Sequence, residues 1–182
     1  MSAREFEITA PGKIALAFPL FIGAVLPLLL LTSIATTAKT STEWLSALPA
    51  LLLMPVIALL LAWRMHRRTL RLENGVLEYG RFRWHRTPVA NLDLDLASIV
   101  NLAEHRELQP VRRITGAAMP GYRAGLFRLR DRRRGYVVVT DSTRVLVLPK
   151  LDKGVLLFSV ARPDALLAAL RQAAGDKGGS AR

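Results

Sequence analysis

The chain has 182 residues, 51% of them apolar, a net charge of +12 and no cysteine. That length holds one ordinary domain and something extra, and the absence of thiols excludes disulfides, cysteine nucleophiles and cysteine-ligated zinc. Apolarity and charge occupy different parts of the chain: residues 1–63 hold three Lys/Arg and three Asp/Glu, so the whole positive excess belongs to residues 64–182.

Residues 1–13 read as a short cytoplasmic segment. Ile14 to Ala38 is then twenty-five residues without a charge, and Trp44 to Trp63 is twenty more. A helix rises about 1.5 Å per residue, so twenty residues match a hydrocarbon core about 30 Å thick. Trp44 and Trp63 bracket the second run where interfacial aromatics belong. Only KTSTE lies between the runs. The pattern predicts a transmembrane hairpin, 14–63, with helices over 14–38 and 44–63 and the lipid bilayer as first partner. Pro19, Pro27, Pro49 and Pro55 are tolerated in membrane helices whose neighbours satisfy the freed carbonyls, and Gly23 lets two helices approach closely. Neither run contains an ionisable residue, which argues against a proton relay. The first run exceeds a signal-peptide core of about 7–15 residues and a second run follows it, which argues against cleavage.

Arg64, Arg67, Arg68 and Arg71 follow the second run at once, whereas the loop between the runs offers Lys39 alone. The Lys/Arg bias predicts a two-pass protein with both termini cytoplasmic. Such a cluster also attracts anionic lipid headgroups, at about 1 kcal/mol per charge near the surface.

From residue 69 the period becomes two. TLRLENGVLEYG is a hairpin signal turning at Glu73-Asn74-Gly75. In RFRWHRTPVANLDLDL, Leu92, Leu94 and Leu96 alternate with Asp93 and Asp95, which predicts a strand with a wet acidic face; ASIVNL is another. The stretch over 103–125, with its charges, Gly and Pro, reads as a long irregular connection. GLFRLRD, GYVVVTD, TRVLVLP and VLLFSV suit consecutive antiparallel pairing across short polar breaks. PDALLAALRQAAG predicts a helix with Pro163 at its first position, Asp164 in its first turn and Gly175 past its end. Residues 175–182 are expected to be disordered.

The run MPGYRAGLFRLR, residues 119–130, followed by VTD, VLP, SV and PDALL, resembles the bacterial pleckstrin-homology (PH) domain membrane proteins, most strongly over 115–170. The resemblance implies a motif turn at Pro120, Gly121 and Gly125. It implies a mainly-β PH-like barrel or sandwich over 64–174, with about seven antiparallel strands closed by a C-terminal helix, placed after two transmembrane helices in the bacterial inner membrane. It implies no enzymatic activity. Eukaryotic PH domains that bind inositol phosphates use a basic first hairpin; here that turn is short and acidic, which argues against such recognition.

Other chemistry finds little support. His66, His85 and His105 lie in no hydrolase context. Asp93, Asp95, Glu104, His105 and Glu107 lack metal-ligand spacing, so neither metal nor cofactor is expected. Arg81, Arg83 and Arg86 near Trp84, Tyr122 and Arg123 at a bend, and Arg132, Arg133 and Arg134 in a turn form the candidate binding surface. No recognition helix or RNA-binding aromatic motif is visible, so nucleic acid is not an expected partner. The expected function is a non-enzymatic binding or scaffold module for protein partners or the anionic membrane surface. The alternative is an accessory subunit of a transport or envelope-stress assembly acting through its helices. Partner identity and homo-oligomerisation through the sheets stay open.

Overall fold

A computed structural model of the chain describes residues 4–37, 49, 52–60, 63, 69–80 and 85–178. The chain divides into two compact units, one of residues 11–67 and one of residues 1–10 with 68–182.

In the first unit, Lys13–Thr37 is a 25-residue helix that continues through Pro19 and Pro27. Its Lys13–Ser33 portion has a mean hydropathy of 2.6 and is, among the described residues, the one helix long and apolar enough to cross a membrane. Residues 52–60 are also helical; most of the rest of the second apolar run, and the KTSTE loop, lie outside the described residues. Gly23 lies against the Ala58 side chain, which fills the space a β-carbon at position 23 would need. Leu20, Phe21, Leu28, Leu29, Leu52, Leu59 and Leu60 are all exposed. That is far more apolar surface than scattered exposed residues account for.

The described residues of the second unit form ten strands: β1 (Arg4–Glu7), β2 (Thr69–Glu73), β3 (Val76–Tyr79), β4 (His85–Pro88), β5 (Ser98–Val100), β6 (Pro110–Met119), β7 (Tyr122–Leu129), β8 (Arg134–Val139), β9 (Val145–Pro149) and β10 (Val155–Phe158). They form a four-stranded sheet in the order β1-β2-β3-β4 and a six-stranded sheet in the order β5-β9-β10-β8-β7-β6. Among the described residues only isolated bridges, Ile8 with Val160 and Leu92 with Lys150, join the two, so the sheets do not close into one barrel.

Each sheet reflects its sequence. Asn74 and Gly75, both with positive φ, make the two-residue turn between β2 and β3 that matches strand twist. The near-continuous apolar runs of β8, β9 and β10 indicate burial on both faces, and both faces are covered. Phe127, Leu129, Val137, Val139, Val145, Val147, Val155 and Leu157 form one core cluster, capped by Leu102 and Leu108. The alternate residues Leu146, Leu148, Leu156 and Phe158 are equally buried, and Phe158 meets Tyr79 of the four-stranded sheet at 5.4 Å between ring centroids. The C-terminal helix, Pro163–Gly178, buries Leu166, Ala169 and Leu170 and packs on the 3-10 turn Val89–Asn91.

Several expectations are corrected. Residues 4–9 belong to the β unit: β1 pairs with β2, the Thr9 N–H donates to the Ser159 carbonyl at 2.9 Å, and the Thr140 hydroxyl donates to the Thr9 carbonyl at 2.7 Å. Among the described residues, nine strands, β2 to β10, lie within 64–174 where about seven were expected, and they are not all antiparallel, because β10 inserts between β8 and β9 and runs parallel to β8. Asp141, bonded to Thr143, and Ser159, whose hydroxyl donates to the Asp141 carbonyl, hold the β8–β9 link over the end of β10. The Leu92–Leu96 alternation is a bend rather than a strand: Asp93 accepts the Leu96 N–H, and Leu96 is exposed. The supposed connection over 103–125 contains β6, whose residues are mostly exposed. The helix runs past Gly175 to Gly178, so the expected tail begins in helix, and its last four residues lie outside the described ones.

Gly125 is not a turn residue. Pro120 and Gly121 make the turn, whereas Gly125 sits inside β7 directly opposite Gly116 of β6. Both have positive φ, and a β-carbon on either would collide with backbone of the other strand, the Ala124 carbonyl for Gly116 and the Thr115 carbonyl for Gly125. Gly116→Ala and Gly125→Ala should each cost about 2 kcal/mol or more, seen as a lowered thermal midpoint of the detergent-solubilised chain; Gly175→Ala, with open space around it, should not lower it.

Candidate functional site

Parallel strands start at the same end of a sheet. Because β8 and β10 are parallel, with Gly135 opposite Val155, the turns that precede them lie side by side. Each turn is basic: Asp131-Arg132-Arg133 leads into Arg134, and Lys150-Leu151-Asp152-Lys153 leads into Gly154. Together they rim a cavity of about 680 Å³, floored by Leu126, Tyr136 and Leu156 and walled by Tyr79 and His85. That volume is in the range of small-molecule sites, roughly 300–1,000 Å³.

The wall is an aromatic cluster. Tyr136 lies 4.8 Å from Tyr79 and 4.9 Å from His85, between ring centroids. The Tyr79 hydroxyl is 2.9 Å from the buried Thr87 hydroxyl. Tyr79 is therefore fixed inside the fold, while His85 is exposed and Tyr136 half-buried.

Charge on the rim is only partly compensated. Arg133 pairs with Asp131 at 2.6 Å and Lys150 with Asp152 at 2.8 Å. Among the described residues no carboxylate pairs with Arg132, Arg134 or Lys153. Arg132 and Lys153 also have φ of 70° and 66°, the left-handed region that costs an ordinary side chain about 1–2 kcal/mol. Outliers of this kind gather at functional sites.

The candidate surface read from the sequence is divided by the fold. Arg132, Arg133 and Arg134 do line the cavity. Arg86 pairs with Glu78, directly opposite on β3, at 2.8 Å. Arg71 lies 3.7 Å from Glu5 and 3.8 Å from Glu73. Arg123 is exposed but sits at the far end of β7 from Arg128, about 17 Å away at strand rise. Tyr122 is 2% exposed and belongs to the core, not to a binding surface. Arg64, Arg67, Arg68, Arg81, Arg83 and Trp84 lie outside the described residues. Tyr79, Tyr136, Lys150 and Lys153 went unseen in the sequence, and His85 was considered there only for hydrolase chemistry; PKLDKG, with two lysines about a turn, was the available signal.

The acidic residues weighed for metal are absorbed locally. Glu107 bonds His105 at 3.0 Å and Glu104 accepts from Asn101 at 2.9 Å; a backbone hydrogen bond, and then the one to His105, hold the Glu107 carboxyl below its ordinary range. Among the described residues no three His, Asp or Glu side chains are grouped to hold a metal ion.

Asp152 organises the lysine turn. The Lys150 ammonium and then the Gly154 N–H, at 3.0 Å, hold its carboxyl below the ordinary 3.8. Since the folded value lies below the unfolded one, its stabilisation is complete above the unfolded value and is lost as pH falls through the folded one. Asp152→Asn should thus lower the thermal midpoint at about pH 7, and the gap from the parent chain should close as pH drops below 3.8; a gap independent of pH would refute this role.

A family model described as a bacterial PH domain matches residues 78–174. No curated protein and no solved structure matches the chain.

Proposed function

The chain belongs to the bacterial PH-domain family, and from that premise we propose a membrane-anchored, non-enzymatic binding module whose contact surface is the basic mouth of the β unit. The observation that carries this reading is the rim itself: Arg132, Arg134 and Lys153 surround a cavity without a carboxylate partner among the described residues. Cations left unpaired beside an apolar, aromatic floor favour an anionic partner surface, either a protein or the lipid headgroups of the anchoring membrane.

Anchoring by the apolar segment is supported by strand pairing. The chain leaves β1 at Glu7 and re-enters β2 at Thr69, and these residues are directly opposed. That pairing favours placing both ends of the apolar segment on one side of a membrane it enters, with an even number of crossings. One described helix suffices for one crossing, and the second uncharged run has the length for the return. The Lys/Arg excess favours the cytoplasmic side for both ends.

With no native cysteine, the topology is directly testable. In intact spheroplasts a membrane-impermeant maleimide should label Ser41→Cys and leave Ser142→Cys unlabelled until lysis. Labelling of Ser142→Cys from outside would sink the orientation.

The mouth is tested by a photo-crosslinking residue at Leu151, which is 67% exposed between the rim lysines. It should give an adduct in cells that is reduced at least tenfold by Arg132→Gly with Lys153→Gly. The same pair of changes relieves two left-handed side chains and should raise the thermal midpoint, by about 1 kcal/mol of stability. No adduct in the parent, or an equal adduct in the variant, would overturn the assignment of the mouth.

A further inference from the structure

Three arginines far apart in sequence form a row across the six-stranded sheet. Arg112 of β6 stands directly opposite Arg128 of β7, and Arg128 directly opposite Arg134 of β8. Opposed residues of antiparallel strands project from the same face with β-carbons about 4.5–5.5 Å apart, and like charges so placed repel. All three are exposed, and among the described residues no carboxylate pairs with them. Elsewhere on the same unit, an arginine opposite a glutamate uses it, as Arg86 does with Glu78. The row reaches the basic mouth through Arg134, which rims the large cavity, and Arg132, which lines both that cavity and a second groove of about 420 Å³ over Arg112 and Arg128.

We infer that Arg112, Arg128 and Arg134, joined to the mouth by Arg132, bind a ligand carrying two or more neighbouring phosphate groups. The inference rests on the reading of the mouth as a binding surface and goes beyond it in naming the ligand chemistry. A guanidinium fork takes two phosphate oxygens at once, and adjacent strands anchor successive arginines about 4.7–4.9 Å apart at the backbone. A single carboxylate engages one fork. An extended acidic peptide repeats its same-face side chains every two residues, about 6.6 Å, and falls out of step with the row. Linked or crowded phosphates, as in a diphosphate or adjoining lipid headgroups, fit the shorter spacing. The bound anion would also replace repulsion between the rungs with shared attraction, which predicts that ligand and fold stabilise each other.

The full chain, purified in non-ionic detergent at low salt, is titrated by calorimetry with inorganic pyrophosphate, with an oligoglutamate peptide, and with mixed micelles containing phosphatidylglycerol, and its thermal midpoint is followed. Pyrophosphate should bind and raise the midpoint. Arg128→Gln should weaken that binding at least tenfold while leaving the ligand-free midpoint unchanged or higher, and Arg128→Lys, which keeps charge but loses the fork, should fall between. Displacement of pyrophosphate by phosphatidylglycerol micelles identifies the lipid headgroup as the source of phosphate; binding undisturbed by them identifies a soluble ligand. Equal pyrophosphate binding by the parent and Arg128→Gln, tighter binding of oligoglutamate than of pyrophosphate, or a lowered ligand-free midpoint in Arg128→Gln would each overturn the inference. Loss of the Leu151 adduct on changing Arg132 and Lys153, with no response to pyrophosphate, would defeat the phosphate assignment while leaving the binding module standing.

Discussion

The pairing of β1 with β2 is the constraint on which the molecule's organisation depends. Four register pairs, from Arg4 with Leu72 to Glu7 with Thr69, tie the start of the chain to the strand that follows the apolar segment. The Ile8–Val160 bridge and the Ala161 N–H donated to the Glu7 carbonyl fasten the same residues to the end of β10. The apolar segment thus lies, in sequence, as an insertion between two paired strands. Loop closure costs free energy that grows only slowly with length, so a long insertion is tolerated where the closing strands are themselves held in a core. Leu70 and Leu72 supply that hold, both being buried.

A second consequence of topology falls on the basic mouth. Had β8, β9 and β10 followed one another as an antiparallel meander, the turns before β8 and β10 would have been a strand's breadth further apart. Insertion of β10 beside β8 brings the two basic turns together and leaves the floor between them to Tyr136 and Leu156, which are directly opposed. The four-stranded sheet adds its wall from Tyr79 and His85, themselves register partners. The site is therefore a product of strand order, built from side chains that no local run of sequence contains.

This explains which parts were legible in the sequence. Asn74-Gly75 and Pro163-Asp164 carry their geometry in their own residue types, and both elements form where the chain chemistry places them. The buried strands announced themselves as unbroken apolar runs. β6 did not, because an edge strand solvated on both faces has no apolar period to show, and its Arg112, Arg113 and Gly116 imitate a loop. Leu92 to Leu96 misled in the opposite sense: a two-residue period suggests a strand, but Asp93 closes a turn on Leu96 instead. Tyr122 looked like a bend residue because it follows Pro120-Gly121, yet it begins β7 and points into the core. The turn arginines were visible as a cluster, whereas their partners in the row were not, since opposition of Arg112, Arg128 and Arg134 is set by register across two hairpins.

The local energetics of the mouth run against the fold that carries it. Two left-handed cations cost about 1–2 kcal/mol each, and each directly opposed like-charge pair adds roughly 0.2–1 kcal/mol. Against a total stability of about 5–15 kcal/mol for a domain, these terms are substantial. Glycine would serve both turns, and a glutamine the centre of the row, at lower cost with the same backbone. Salt weakens the repulsion, because the three arginines are exposed, but it leaves the backbone terms untouched. An anion held at the rim, as proposed, would offset the charge, while the backbone terms would remain to be met by the rest of the fold. The mouth is thus a costly part of the β unit, and the buried strands beneath it supply the stability that lets it persist.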